Sequence, residues 1–111
     1  MSQFILFIRE DLTRYPIPKE ELNKLIEAHR NWAKELAAKG IFKGGNGIDS
    51  DGRLIEMING ELIVQPLRNP EEGIGGYYII EADHLQHAVE IAKECPSYKD
   101  GDLVEVRPLG V

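Results

Sequence analysis

The sequence predicts an α+β fold of the ferredoxin-like, split βαβ kind, with a mostly antiparallel sheet and both helices packed on one face. Three observations carry that expectation. Residues 75–108 read without interruption as strand, helix, strand, and an apolar run at residues 4–8 precedes a long stretch of helical period. Between these halves, Gly and Asn-Gly signals break the chain into short hairpin strands. Strand-helix-strand units flanking hairpins are the pattern of a sheet with its helices segregated to one side.

Each element has a local reason. Phe4-Ile5-Leu6-Phe7-Ile8 is apolar at every position, a strand, and Arg9-Glu10-Asp11 ends it. Pro18 suits the first position of a helix, and Glu20 and Glu21 complement its positive dipole end. That helix is expected to reach about residue 39, with Leu22, Leu25, Ile26, His29, Trp32, Ala33, Leu36 and Ala37 along one stripe. Gly40 followed by Ile41 is a Schellman-type stop with its hydrophobic latch.

Ile41-Phe42 then opens a strand interrupted by Gly44-Gly45-Asn46-Gly47. Asp51-Gly52 and Asn59-Gly60 both read as type I′ hairpin turns bracketing a strand at residues 53–58. Leu62-Ile63-Val64 is a further strand, and residues 66–73 a loop with an acidic end. Tyr77-Tyr78-Ile79-Ile80 is β-branched and aromatic, a strand opened by glycines. Asp83 stands where a helix N-cap belongs, with Gln86 three residues on and Leu85, Ala88, Val89 and Ala92 on one face. Pro96 forces Cys95 out of helical angles, Asp100-Gly101-Asp102 is turn chemistry, and residues 103–109 form a last strand. Pro108 is tolerable there only at the strand's end or on an edge.

The chain's 111 residues suit one domain spanning residues 1–111. A net charge of −6 argues against a nucleic-acid partner, which needs clustered Lys and Arg. No apolar run approaches the length of a membrane span, and the opening MSQFILFIRE has no basic stretch before its apolar one. A single cysteine makes no internal disulfide, so a reducing cytoplasm is the expected compartment.

One assembly expectation follows from the strands alone. Two helices cover one sheet face, yet residues 4–8 and 77–80 are apolar toward both faces. An uncovered face of that kind exceeds the apolar patch that monomers usually show, and each large side chain removed from water contributes about 1.5–3 kcal/mol. The expectation is a two-fold homodimer with sheets packed together.

These segments resemble the YCII-related, or DGPF-domain, family. The opening FILFIR, the helix carrying His29-Arg30-Asn31-Trp32 with its Gly40 stop, and the block GGYYIIEA at residues 75–82 carry the resemblance. Leu85, Ala88, Ala92 and Pro96 with the ending Val104-Glu105-Val106-Arg107-Pro108 extend it over nearly the whole chain. It implies a dimeric α/β barrel of ferredoxin-like subunits, in a family largely uncharacterised, with a few members similar to lactone-processing enzymes. The departures bear on function. The Asp-Gly-Pro-Phe stretch falls on Val64-Gln65-Pro66-Leu67, where only the proline survives. Some members pair a helix histidine with an aspartate just before the proline after the second helix. His29 matches that histidine, but Cys95, with Glu94 beside it, occupies the aspartate's place.

His29 is the leading catalytic candidate, because it lies on the apolar stripe where an imidazole with one nitrogen held could act as general base. The alternative is a core histidine satisfied by a carbonyl or water. Arg9 could hold a carboxylate in bidentate fashion, or be a solvated strand end; Glu10 and Asp11 read as the latter. Trp32, Tyr77 and Tyr78 are the candidate aromatic walls of a ligand pocket, the two tyrosines pointing to opposite faces. His84 and His87 lack the companions a metal site needs, and Cys95 stands at the helix end that disfavours thiolate. No metal or cofactor is expected, and residues 73–76 form no phosphate cradle, because a strand follows them.

Three functions fit. The first is a small-molecule-binding homodimer, its ligand a small organic acid, with a pocket between sheet and helices. The second is a lyase, isomerase or dehydrohalogenase with His29 as base. The third is a protein-interaction module using Glu71, Glu72 and the hairpins. An acid reaching His29 from Glu10, Glu81 or Glu94 would favour the second.

Overall fold

In the computed structural model, which describes residues 2–110, strands β1 (Ser2–Glu10), β2 (Phe42–Gly47), β5 (Gly73–Ala82) and β6 (Leu103–Pro108) form one sheet. Its order is β2-β5-β1-β6, with every neighbour antiparallel. Helices α1 (Lys19–Ala38) and α2 (Leu85–Ala92) cover one face, which completes the α+β, ferredoxin-like arrangement the sequence predicts. Strands β3 (Arg53–Ile58) and β4 (Glu61–Pro66) pair with each other in a separate two-stranded arm.

Alternation along β1 and β5 explains the core. Phe4, Leu6 and Ile8 of β1, with Tyr78, Ile80 and Ala82 of β5, are buried beneath Trp32 and Leu36 of α1 and Ala88, Ile91 and Ala92 of α2. Ile5, Phe7, Tyr77 and Ile79 take the other face and are half-buried, paired as Ile5 with Ile79 and Phe7 with Tyr77. β6 flanks them with Arg107 opposite Ile5 and Glu105 opposite Phe7. The open face is therefore an apolar stripe with a charged margin.

The ends of the elements follow local chemistry, with three differences from expectation. α1 closes in a full Schellman motif: Gly40 has φ +72, its N–H donates to Ala37 at 3.0 Å, and Ile41 N–H donates to Leu36 at 2.9 Å. Pro18 is the N-cap rather than the first helical residue. α2 is capped by His84 and not by Asp83. The His84 ring accepts from His87 N–H at 3.2 Å, while the His87 ring accepts from Asp83 N–H at 3.0 Å. Two imidazoles thus do the capping expected of an Asp and a Gln, with the His87 ring taking the N–H of Asp83 rather than that of the cap residue.

The third difference concerns the hairpins. Asn59 and Gly60 have φ of +51 and +82 and form the I′ turn of the arm. Asp51-Gly52 makes no hairpin, because β2 pairs with β5 and leaves β3 to the arm. Asp49 instead accepts from Asp51 N–H at 2.9 Å, a local turn that redirects the chain. The arm makes no extensive contact with any other element. It accounts for a flat outline of 47 × 40 × 19 Å and a radius of gyration of 15.7 Å, against about 13 Å for a compact chain of this length.

β1 and β6 pair directly, and Arg9 donates to the Glu105 carboxylate at 3.0 Å across that seam. β6 is an edge strand with Pro108 at its end, where a missing N–H does no harm.

Candidate functional site

The apolar stripe of α1 divides into two halves with different fates. Trp32 and Leu36 are buried against the sheet. Leu22, Leu25, Ile26 and His29, one to three turns earlier, are only partly covered and instead wall a cavity of about 500 Å³. Ile8, Glu10 and Tyr15 form its far side, and the β2 glycines and residues 75–78 its floor. The edge-on pair Trp32–Tyr78, with ring centroids 4.7 Å apart, stands where the packed half gives way to the cavity.

His29 and Tyr78 form the polar wall. Nδ1 of His29 lies 2.7 Å from the Tyr78 hydroxyl, which also lies 3.2 Å from the His29 carbonyl oxygen. Nε2 of His29 lies 2.6 Å from Oγ of Ser97. Both ring nitrogens are therefore taken. Burial holds the His29 imidazole below its ordinary pKa, while the negative charges of Glu10 and Asp100 pull the other way. Burial also raises the Tyr78 phenol well above its usual range.

Behind Ser97 stands an acid. Ser97 is 1 % exposed and Asp102 6 %, and Ser97 is among the groups that act against the rise of the Asp102 carboxyl. Burial pushes that carboxyl up to about 6, and the charge of Glu10 adds to the effect. Arg14 opposes it, with Nη2 at 4.0 Å. Glu10 itself accepts from Arg14 at 3.0 Å and from the Tyr15 hydroxyl at 3.0 Å, so its carboxylate is held at the cavity's edge. A Cβ added at Gly75 would collide with that carboxylate, which explains the glycine.

The structure brings His29, Tyr77 and Tyr78 to one cavity. Tyr78 is the tyrosine that faces α1, whereas Tyr77 alternates toward the open face and pairs with Phe7. Trp32 buttresses Tyr78 from the core side and is not on the wall. Arg9, between the lining residues Ile8 and Glu10, points to the opposite face and bonds the Glu72 carbonyl at 2.8 Å and Glu105. The cavity's guanidinium is Arg30, one residue beyond His29.

Among the described residues no acid hydrogen-bonds His29; Glu10 and Asp100 act on it through charge. Glu81 pairs with Lys43 at 3.8 Å. Cys95 is buried, its thiol raised by that burial, with Ser97 acting against the rise. Ser97 and Asp102 had no signal in the sequence, since a serine after Pro96 and an aspartate after Gly101 both read as turn composition. Among the described residues no group of three His, Cys, Asp or Glu side chains is placed to hold a metal ion, and no helix is long and apolar enough to cross a membrane.

No curated protein matches this chain. The family model of the YCII-related domain matches residues 4–110, so the segments that build the sheet, both helices and the His29–Tyr78 wall all fall within the match. The chain belongs to the YCII-related domain family.

Proposed function

We propose that this protein binds a small organic molecule in the cavity between α1 and the sheet, and works as a homodimer. The observation that carries the first part is the unfilled half of the α1 stripe. Leucine and isoleucine side chains that would pack against strands in a closed core are held off them, around a space of about 500 Å³. That volume and lining, apolar along one wall with a few convergent polar groups, suit a small ligand. Its apolar body would lie along Leu22, Leu25 and Ile26, with its polar end at His29 and Tyr78. A carboxylate on the ligand would find Arg30 at the wall.

Pairing of both His29 nitrogens supports recognition over unassisted base catalysis, because a free lone pair is what a general base must offer. The dimer rests on the open sheet face, where the apolar stripe of Ile5, Phe7, Tyr77 and Ile79 is only half-buried among the described residues.

The experiment is thermal denaturation against a panel of small organic acids and their amides, run beside Leu25→Trp, which fills the cavity. A stabilisation present in the wild type and absent in the variant is the expected result. No shift across the panel overturns the ligand-binding reading.

A further inference from the structure

Of the Asp, Glu, Lys and Arg residues that line the cavity, Glu10 is the most buried. Its side chain is 11 % exposed, whereas Arg30 and Asp49 stand exposed. Each Glu10 oxygen has one donor: Oε2 accepts from Arg14 and Oε1 from the Tyr15 hydroxyl, both at 3.0 Å. An ionised carboxylate has about four accepting positions, so roughly half of this one's capacity is open. Oε1 lies where a Cβ on the floor residue Gly75 would stand, so no Gly75 side chain caps it.

The charge around Glu10 is also unbalanced. Arg14 is shared with Asp102, whose carboxylate lies 4.0 Å from the same Nη2 that donates to Glu10, so two acids face one guanidinium. Neighbouring cations are engaged elsewhere: Arg9 bonds Glu105 on the opposite face, and Lys43 pairs with Glu81. The negative charge of Glu10 acts as far as the His29 imidazole across the cavity.

A ligand end that reaches Glu10 displaces water from its open lone pairs. An apolar end leaves a buried anion short of donors, and a carboxylate adds like charge and brings no proton. A hydroxyl supplies a donor without charge. An ammonium group supplies both, in the charge-assisted bond that is the stronger kind. We infer that Glu10 is a specificity-determining residue of the cavity, its carboxylate receiving the protonated amine of a ligand, so that the ligand is a small amine with an apolar body. Arg30, exposed on the same cavity, takes a carboxylate where the ligand carries one, and such a ligand is a small amino acid. The inference rests on the ligand-binding reading above.

The test uses three probes with one apolar body, pentylamine, pentan-1-ol and pentanoate, titrated into ¹⁵N-labelled protein at pH 8 and read as Kd from amide chemical shifts. Pentylamine should bind wild type at least about tenfold more tightly than pentan-1-ol, the weight of a hydrogen bond to a charged group. Glu10→Gln should remove that advantage and leave pentan-1-ol within about twofold. Leu25→Trp, which fills the cavity, should abolish pentylamine binding. An amine bound no more tightly than the alcohol, an advantage kept in Glu10→Gln, or amine binding that survives Leu25→Trp overturns the inference and leaves the cavity reading standing wherever the alcohol or acid binds. Failure of all three probes to bind overturns both. Should Glu10→Gln fail to fold, the wild-type order of affinities and Leu25→Trp decide.

Discussion

His29 and Tyr78 are tied to each other twice, with the phenol oxygen 2.7 Å from the imidazole Nδ1 and 3.2 Å from the carbonyl oxygen of the same histidine. The phenol therefore joins α1 to β5 at the point where the helix parts from the sheet. One bond reads the imidazole and the other the helix backbone, so neither ring turns without disturbing the other. Ser97 grips the imidazole's far nitrogen at 2.6 Å, which leaves His29 held on both sides. Such a residue contributes to a ligand site chiefly by orienting the groups around it.

The pH dependence of stability should expose Asp102. Its carboxyl is raised from the ordinary 3.8 to about 6 in the folded chain, so the native state binds this proton more tightly than the unfolded one. The associated stability is present below about pH 4 and is lost as pH rises through about 6. His29 runs the other way: its pKa is lowered, so its contribution is present above 6.5 and is lost as pH falls. Asp102→Asn removes the first slope and leaves the second. Relative to wild type, the variant should be more stable at pH 8 than at pH 4 by on the order of 1–3 kcal/mol. Urea denaturation at both values reads this directly; a difference independent of pH would contradict the raised carboxyl.

The fold was legible because its signals are local. The Gly40 stop, the Asn59-Gly60 turn and the opposed faces of β1 and β5 each rest on a few adjacent residues whose backbone or pattern permits one arrangement. The site was legible only in part. His29 announced itself by sitting on an apolar stripe, but its partners come from residues 49 and 68 positions away. Nothing in Ser97 or Asp102 distinguishes a buried position from a solvated turn. The Asp51-Gly52 hairpin misled for a related reason: turn chemistry says that the chain bends, and the choice between β5 and β3 as partner of β2 is made by tertiary packing.

Equivalent-looking leucines on α1 should differ sharply in energetic weight. Leu36 is fully buried under the sheet, whereas Leu25 stands at the cavity. Leu36→Ala should cost about 2–5 kcal/mol, through lost transfer energy and a new void. Leu25→Ala enlarges a space already present and should cost about 1 kcal/mol or less, since its apolar surface is only partly withdrawn from water. Chemical denaturation of the two variants under one condition settles the comparison. Equal losses would mean that α1 packs along its whole length and that the cavity closes in solution.

Gly75 and Glu10 should be energetically coupled. A methyl group at Gly75 collides with a carboxylate that Arg14 and Tyr15 hold in place, so the side chain yields only by breaking those bonds. Gly75→Ala should destabilise the fold by about 1–3 kcal/mol, the range for an overpacked site. In Glu10→Ala the obstruction is gone, and adding Gly75→Ala to that background should cost much less. A double-mutant cycle measured by denaturation gives the coupling, expected at about 1 kcal/mol or more for groups in contact. Additive losses would show that the glycine serves the backbone rather than the carboxylate.

The assembly prediction places two surfaces on trial. On the open sheet face, Phe7 pairs with Tyr77 at the centre of the apolar stripe, with Glu105 opposite Phe7 on β6. If a second copy packs there, Phe7→Glu brings uncompensated charge into a dry interface beside an existing carboxylate. A penalty of several kcal/mol follows. Sedimentation at low micromolar concentration should then show a dimer for wild type and a monomer for Phe7→Glu. The arm presents a second apolar surface, with Ile55 opposite Val64 and Met57 opposite Leu62, all four 60–68 % exposed. A two-stranded hairpin has little stability of its own in water, so its form depends on what it rests against. Leu62→Glu separates the possibilities. A monomeric Leu62→Glu assigns the arm to the same dimer, and a dimeric one confines the interface to the sheet. A wild type that sediments as a monomer removes the homodimer altogether, and leaves the Ile5, Phe7, Tyr77 and Ile79 stripe in contact with water.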